Sequence, residues 1–218
     1  GPSEWPILKK YGLVSTMCNG AEISLTKGWA DKTNHATLIQ KYNEHIDLVA
    51  DAGYTNLICF SGNRTATLDD ATGLENCAEG LKQIMAHAEK RGVTIIMELL
   101  NSKVDHKDYM CDRTAWGVAL CKKIGSPNFK LLYDIYHMQV DEGDVIHTIN
   151  TYHEYIGHYH TAGVPGRHEI DDTQELYYPA IMKAIVATGF NKYVAQEFIP
   201  ASKDPLASLR QAIKICDV

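Results

Sequence analysis

No two cysteines in this 218-residue chain have the C-x-x-C spacing, no apolar run approaches the roughly 20 residues needed to cross a bilayer, and neither a G-x-G-x-x-G fingerprint nor a P-loop is present. Each absence removes a class of protein. Cys18, Cys59, Cys77, Cys111, Cys121 and Cys216 are scattered, and a chain of this length buries a core without staples, so they read as buried thiols of a reducing compartment. With no spanning segment and no signal-peptide pattern, the chain reads as cytoplasmic and free of membrane; Gly1-Pro2-Ser3 looks like a remnant of expression rather than a native start. Positive charge is also short. Lys and Arg number 21 against 27 Asp and Glu, a net charge of −6, which argues against a broad basic surface for nucleic acid.

What is present is a repeat. Apolar residues recur at helical spacing in Leu38, Ile39, Tyr42, Ile46 and Val49, and again in Leu74, Cys77, Leu81, Ile84, Met85 and Ala88. Each run ends on a glycine and is followed by a short apolar segment: Thr55 to Phe60 after Gly53, Val93 to Leu100 after Gly92. The same order returns at Gly125, Gly157 and Gly189, with Tyr11 to Cys18 as a first strand and Leu206 to Cys216 as a last helix. The glycines lie 32 to 39 residues apart, the length of one βα unit. The expectation is one α/β domain over residues 1–218, with about six βα units and a parallel sheet. The loop from Asn19 to Asn34 carries Trp29, either a lid over a site or packing for the loop itself.

Chemistry collects in two places. The stretch His158 to Ile170 holds three imidazoles, Arg167 and Glu169 where a strand gives way to a loop. Four successive strands also finish on polar groups, Glu98, Asp134, His160 and Glu197, spaced 36, 26 and 37 residues apart. On parallel neighbours these side chains converge at the carboxyl end of the sheet. Three carboxylates in one place repel and lose solvation. A divalent cation resolves this: three oxygen donors and one imidazole suit Mg²⁺ or Mn²⁺, and such a set also accepts Zn²⁺, Co²⁺ or Ni²⁺. His137, three residues past Asp134, reaches the mouth of the same site. Arg167 and Glu169 follow His160 on its loop, where a guanidinium clamps a substrate carboxylate or forms a loop-to-helix salt bridge. The histidines on helical patterns, His35, His45, His87 and His153, read as solvated.

From Tyr11 onward the chain resembles the hydroxypyruvate isomerases of the xylose isomerase-like (sugar isomerase/epimerase) group of TIM (β/α)8 barrels. The resemblance rests on Glu98-Leu-Leu-Asn101, Tyr133-Asp134-Ile-Tyr-His137, Gly157-His-Tyr-His160 through Gly166-Arg167-His168-Glu169, and Gln196-Glu197-Phe198. It implies Glu98 and Glu197 as metal ligands that are also the catalytic acid/base pair, Asp134 and His160 as the other ligands, and His137 and Arg167 as substrate contacts. The implied reaction is a metal-dependent shift of a proton between adjacent carbons of a small hydroxy-carbonyl compound through an enediolate, with hydroxypyruvate to tartronate semialdehyde as the named case. Alternatives are a ketose 3-epimerase of the same group and a barrel that binds a metal or sugar acid without turnover. A phosphodiesterase like endonuclease IV shares the barrel but needs more histidine ligands and a basic groove. Of the family's eight strands, the first strand, its helix and the second strand have no counterpart here. The remaining open edges lead to the expectation of a homo-oligomer.

Overall fold

The computed structural model describes residues 1–20 and 25–218. Helix α1 (Trp5–Lys10) and helix α2 (His35–Asp51) precede strand β1 (Asn56–Cys59). Then come α3 (Asp70–Arg91), β2 (Thr94–Glu98), α4 (Thr114–Ile124), β3 (Phe129–Asp134), α5 (Ile135–Asp141), α6 (Val145–Tyr152), β4 (Ile156–Thr161), α7 (Tyr178–Ala187), β5 (Val194–Gln196) and α8 (Pro205–Cys216). The strands pair in parallel in the order β1-β2-β3-β4-β5. A doubly wound sheet reverses its order at a switch point, so an unbroken sequential order is that of a barrel wall.

The sheet separates two apolar layers. On one face the strands meet the helices, burying Leu38, Tyr42, Ile46, Leu81, Ile84, Leu131, Tyr159 and Ile181 in one core. On the other face Ile58, Ile96 and Leu132 form a small cluster of their own. That second face carries the chemistry described below.

Two expectations fail for physical reasons. The strand expected from Tyr11 to Cys18 shrinks to one parallel bridge between Cys18 and Leu57, made by Cys18 N–H to Asn56 O and Ile58 N–H to Cys18 O, both 3.0 Å. Leu13 and Val14 are each 58% exposed, and the Leu13 N–H donates back to the Leu8 carbonyl at 2.9 Å, closing the end of α1 instead of joining a ladder. Gly157 is likewise no helix cap. It lies inside β4, where an added Cβ would sit 2.8 Å from Lys130 Cβ on β3. Glycine is required there for strand approach, so Gly157→Ala is expected to lower stability by about 1–3 kcal/mol through overpacking. An unchanged urea midpoint would refute the close approach.

Smaller readings are also decided. Residues 21–24 of the Asn19 to Asn34 loop lie outside the described residues. Trp29 is fully buried against the His35 and Tyr42 rings at 5.9 and 5.3 Å, so it packs the loop and is no lid. His35 is buried, not solvated, because its Nε2 meets the Trp29 carbonyl at 2.8 Å. All six cysteines are free, and all but Cys216 are buried. Among the described residues, no helix is long and apolar enough to cross a membrane.

Candidate functional site

Strand register explains why the four polar strand ends share a face. Asp134 lies opposite His160. Glu98 pairs with Leu132, two residues short of Asp134, and His160 pairs with Ala195, two short of Glu197. Side chains alternate with period two along a strand, so even offsets keep all four on one side. That side is the one carrying Ile58, Ile96 and Leu132, which form an apolar floor.

The side chains meet there. One donor atom from each of Glu98, Asp134, His160 and Glu197 lies within 4.8 Å of the others. Glu98, Asp134 and His160 are buried, while Glu197 stands at the rim with its side chain 42% exposed. His160 Nδ1 is 3.6 Å from Glu98 Oε1 and 2.8 Å from Glu197 Oε2. The contact with Glu197 is at ion-pair distance, although the ring nitrogen is not aligned on it as a hydrogen bond. Four donors this close together, three hard oxygens and one imidazole, are a set that fits a divalent cation.

The electrostatics describe the same strain. Burial, then the Glu98 and Glu197 charges, pushes the Asp134 carboxyl up to about 7. Burial likewise raises Glu98, with the Glu197 charge adding to it and His160 opposing. Burial alone would lower His160, but Glu197 and Glu98 hold its imidazolium up to about 10. Burial would raise Glu197, yet His160 and Arg167 outweigh it and bring the carboxyl down to about 2. Within the cluster the charges pair with one another, His160 and Arg167 with Glu197 and Arg167 with Asp134.

Asp134 has a second task. Its Oδ1 accepts from His137 N–H at 3.2 Å and caps α5, a helix absent from the sequence reading because it spans seven residues and begins on a strand end. This turn sets His137, fully buried, with Nε2 3.7 Å from Asp134 Oδ2. Arg167 Nη2 donates to Asp134 Oδ2 at 3.3 Å and to Glu197 Oε2 at 2.5 Å, and its guanidinium lies 5.6 Å over the Tyr136 ring. Of the two readings for Arg167, the guanidinium is engaged in ion pairs, with the cluster itself rather than with a helix.

Glu169 is not brought to the site. Its carboxylate accepts from the Ala201 and Ser202 N–H groups and from Ser208 Oγ, tying its loop to the start of α8. Those bonds hold it down to about 2. His158, one register step below His160, is fully buried with both ring nitrogens unpartnered, and burial lowers it to about 3.

Sequence reasoning missed the loop after β2. There Asp105 accepts from Tyr136 OH at 2.7 Å, and the His106 ring lies 5.3 Å from that of His137. Asn101 had a signal in the Glu98-Leu-Leu-Asn101 motif; Asp105 had none.

A family model described as xylose isomerase-like TIM barrel matches residues 6–217. The chain is similar to the 2-oxo-tetronate isomerase of Cupriavidus necator, 37% identical over 130 residues, covering 60% of this chain and 48% of that protein. It is similar to the hydroxypyruvate isomerase of Escherichia coli K12, 28% identical over 148 residues, covering 68% and 57%. The matched stretches therefore span about half the length of these relatives. Among solved structures it superposes on a Brucella melitensis protein described as AP endonuclease, family 2, with TM-score 0.82 over 93% of this chain and 79% of that one, at 24% identity. That likeness speaks for the fold alone.

Proposed function

The chain belongs to the xylose isomerase-like TIM-barrel family, and from that premise we propose that it is a metal-dependent isomerase of a small hydroxy-carbonyl acid, with hydroxypyruvate to tartronate semialdehyde as its reaction. The observation that carries the reading is the placement of Glu98 and Glu197 on either side of His160, at 3.6 and 2.8 Å from its Nδ1. An aldose-ketose shift needs one base to take the proton from the hydroxymethyl carbon and one acid to return a proton to the neighbouring carbon. Two carboxylates across one bound molecule meet that need. His137 Nε2 faces the same space and donates to the substrate oxygen where negative charge develops, while Arg167 offsets the charge of the acid. A hard divalent cation, Mg²⁺ or Mn²⁺, held by Glu98, Asp134, His160 and Glu197, supplies Lewis-acid stabilisation of the enediolate when bound. The names of the two curated relatives support a small 2-oxo acid as substrate. The six free cysteines support a cytoplasmic setting.

Proton exchange tests this directly. With hydroxypyruvate and Mn²⁺ or Mg²⁺ in D₂O, the hydroxymethyl proton signal is expected to fade only when protein and metal are both present. Exchange of the C3 proton of a ketohexose but not of hydroxypyruvate would move the assignment to a ketose 3-epimerase. No exchange above the metal blank with 2-oxo acids or ketoses would sink the reading.

A further inference from the structure

Asn101 is fully buried at the end of the Glu98-Leu-Leu-Asn101 segment, and its amide has no freedom to turn. The Oδ1 accepts from Val104 N–H at 3.1 Å and Asp105 N–H at 2.9 Å. Turning the amide over would set its NH₂ against two backbone donors and its oxygen against the Asp105 carboxylate. The Nδ2 group therefore faces the other way, with one hydrogen on Asp105 Oδ2 at 2.7 Å. Its second hydrogen points at His137 Nδ1, 2.6 Å away. A donor already occupies that contact, so Nδ1 must be the lone-pair nitrogen, and the ring proton sits on Nε2. Nε2 is buried, has no partner of its own and lies 3.7 Å from Asp134 Oδ2, on the side of the carboxylate cluster.

We propose that Asn101 is a positioning residue that fixes the tautomer of His137, forcing its ring to present an N–H, rather than a lone pair, to a ligand oxygen in the site. The device is a chain of donors: two backbone N–H groups orient the amide, the amide orients the imidazole, and the imidazole N–H is the end turned toward the carboxylate cluster. Asp105 completes it by taking the spare amide hydrogen, and Tyr136 OH holds Asp105 in turn at 2.7 Å. The functional use of that N–H rests on the isomerase reading above; the tautomer itself does not.

Protein labelled with ¹⁵N in histidine tests the proposal, with the His137 signals identified by their loss in His137→Gln. In the unsubstituted protein Nδ1 is expected to be unprotonated and Nε2 to carry the hydrogen. In Asn101→Asp a carboxylate oxygen replaces the amide donor, and Nδ1 is expected to become protonated. With an exchanging substrate, the same variant is expected to lose about 10²-fold in kcat with little change in KM, the size seen when one donor to a developing oxyanion is removed. A protonated Nδ1 in the unsubstituted protein would overturn the proposal even if Asn101→Asp failed to fold. So would an Nδ1 that stays unprotonated in a folded Asn101→Asp. Absence of turnover alongside the expected tautomers would count against the isomerase reading and leave the Asn101 assignment standing.

Discussion

Glu98→Gln and Glu197→Gln are each expected to lower kcat by about 10²–10⁴-fold, the range associated with a positioned general acid or base. Glutamine keeps the shape and the oxygen but neither takes nor returns a proton, so the loss should reach both isomer formation and exchange in D₂O. The two variants should then part company in stability. Glu98 is buried and its ionised form is disfavoured by that burial; removing its charge leaves the metal-free protein as stable as before or more so. Glu197 contacts both the His160 imidazolium and the Arg167 guanidinium. Its removal takes away the carboxylate that both cations share and leaves them only Glu98 and Asp134, whose ionised forms burial disfavours, so the metal-free midpoint in urea should fall. Turnover kept within tenfold in either variant would remove that carboxylate from the acid/base pair. Equal stability changes in both would contradict the charge arrangement, whatever the activity.

How much of this was legible beforehand depended on whether a feature follows from local pattern or from register. Polar residues closing an apolar run are a local signal, and Glu98, Asp134, His160 and Glu197 could be picked out with no knowledge of pairing. That they share a face needs the two-residue staggers between β2 and β3 and between β4 and β5, which no local pattern carries. Gly157 misled because a glycine before a strand looks the same whether it ends a helix or makes room for Lys130. The first strand misled because its apolarity suits a barrel wall, whereas the Leu13 N–H is taken by the Leu8 carbonyl at the end of α1 and only Cys18 bridges to β1. Arg167 and Glu169 sit two residues apart on one loop, yet the loop aims one at the cluster and the other at the start of α8. Their destinations lie in segments distant in the chain, beyond the reach of local reasoning. His35 failed the same way: its solvation depended on a carbonyl in the preceding loop.

A large change in stability is expected from the cation, and its sign is tied to pH. Asp134 is raised to about 7 and Glu98 is raised as well. Between the ordinary carboxylate range and about 7, the folded metal-free chain holds protons that the unfolded chain has released, so its stability falls as pH rises across that window. His160 acts in the same direction higher up. Its imidazolium contributes stability that is complete below 6.5 and lost as pH rises through about 10. Glu197 runs the other way, contributing fully above 4.5 and losing that contribution only as pH falls through about 2. The metal-free protein should therefore be less stable at pH 8 than at pH 5, because two buried carboxylates are forced to ionise side by side. A cation reverses this trend, since it must displace the protons to bind and then offsets the exposed repulsion. With Mn²⁺ at a hundred times its Kd, binding adds about 2.7 kcal/mol, which for a chain of this size is a rise of about 5–10 °C in Tm. The rise is expected at pH 8, to shrink strongly at pH 5, and to vanish on adding EDTA. Asp134→Asn, which keeps the cap of α5 because asparagine caps as well as aspartate, should fold and lose most of the increment. An equal increment at both pH values, or one that survives Asp134→Asn, would mean that the cation binds elsewhere on this acidic chain.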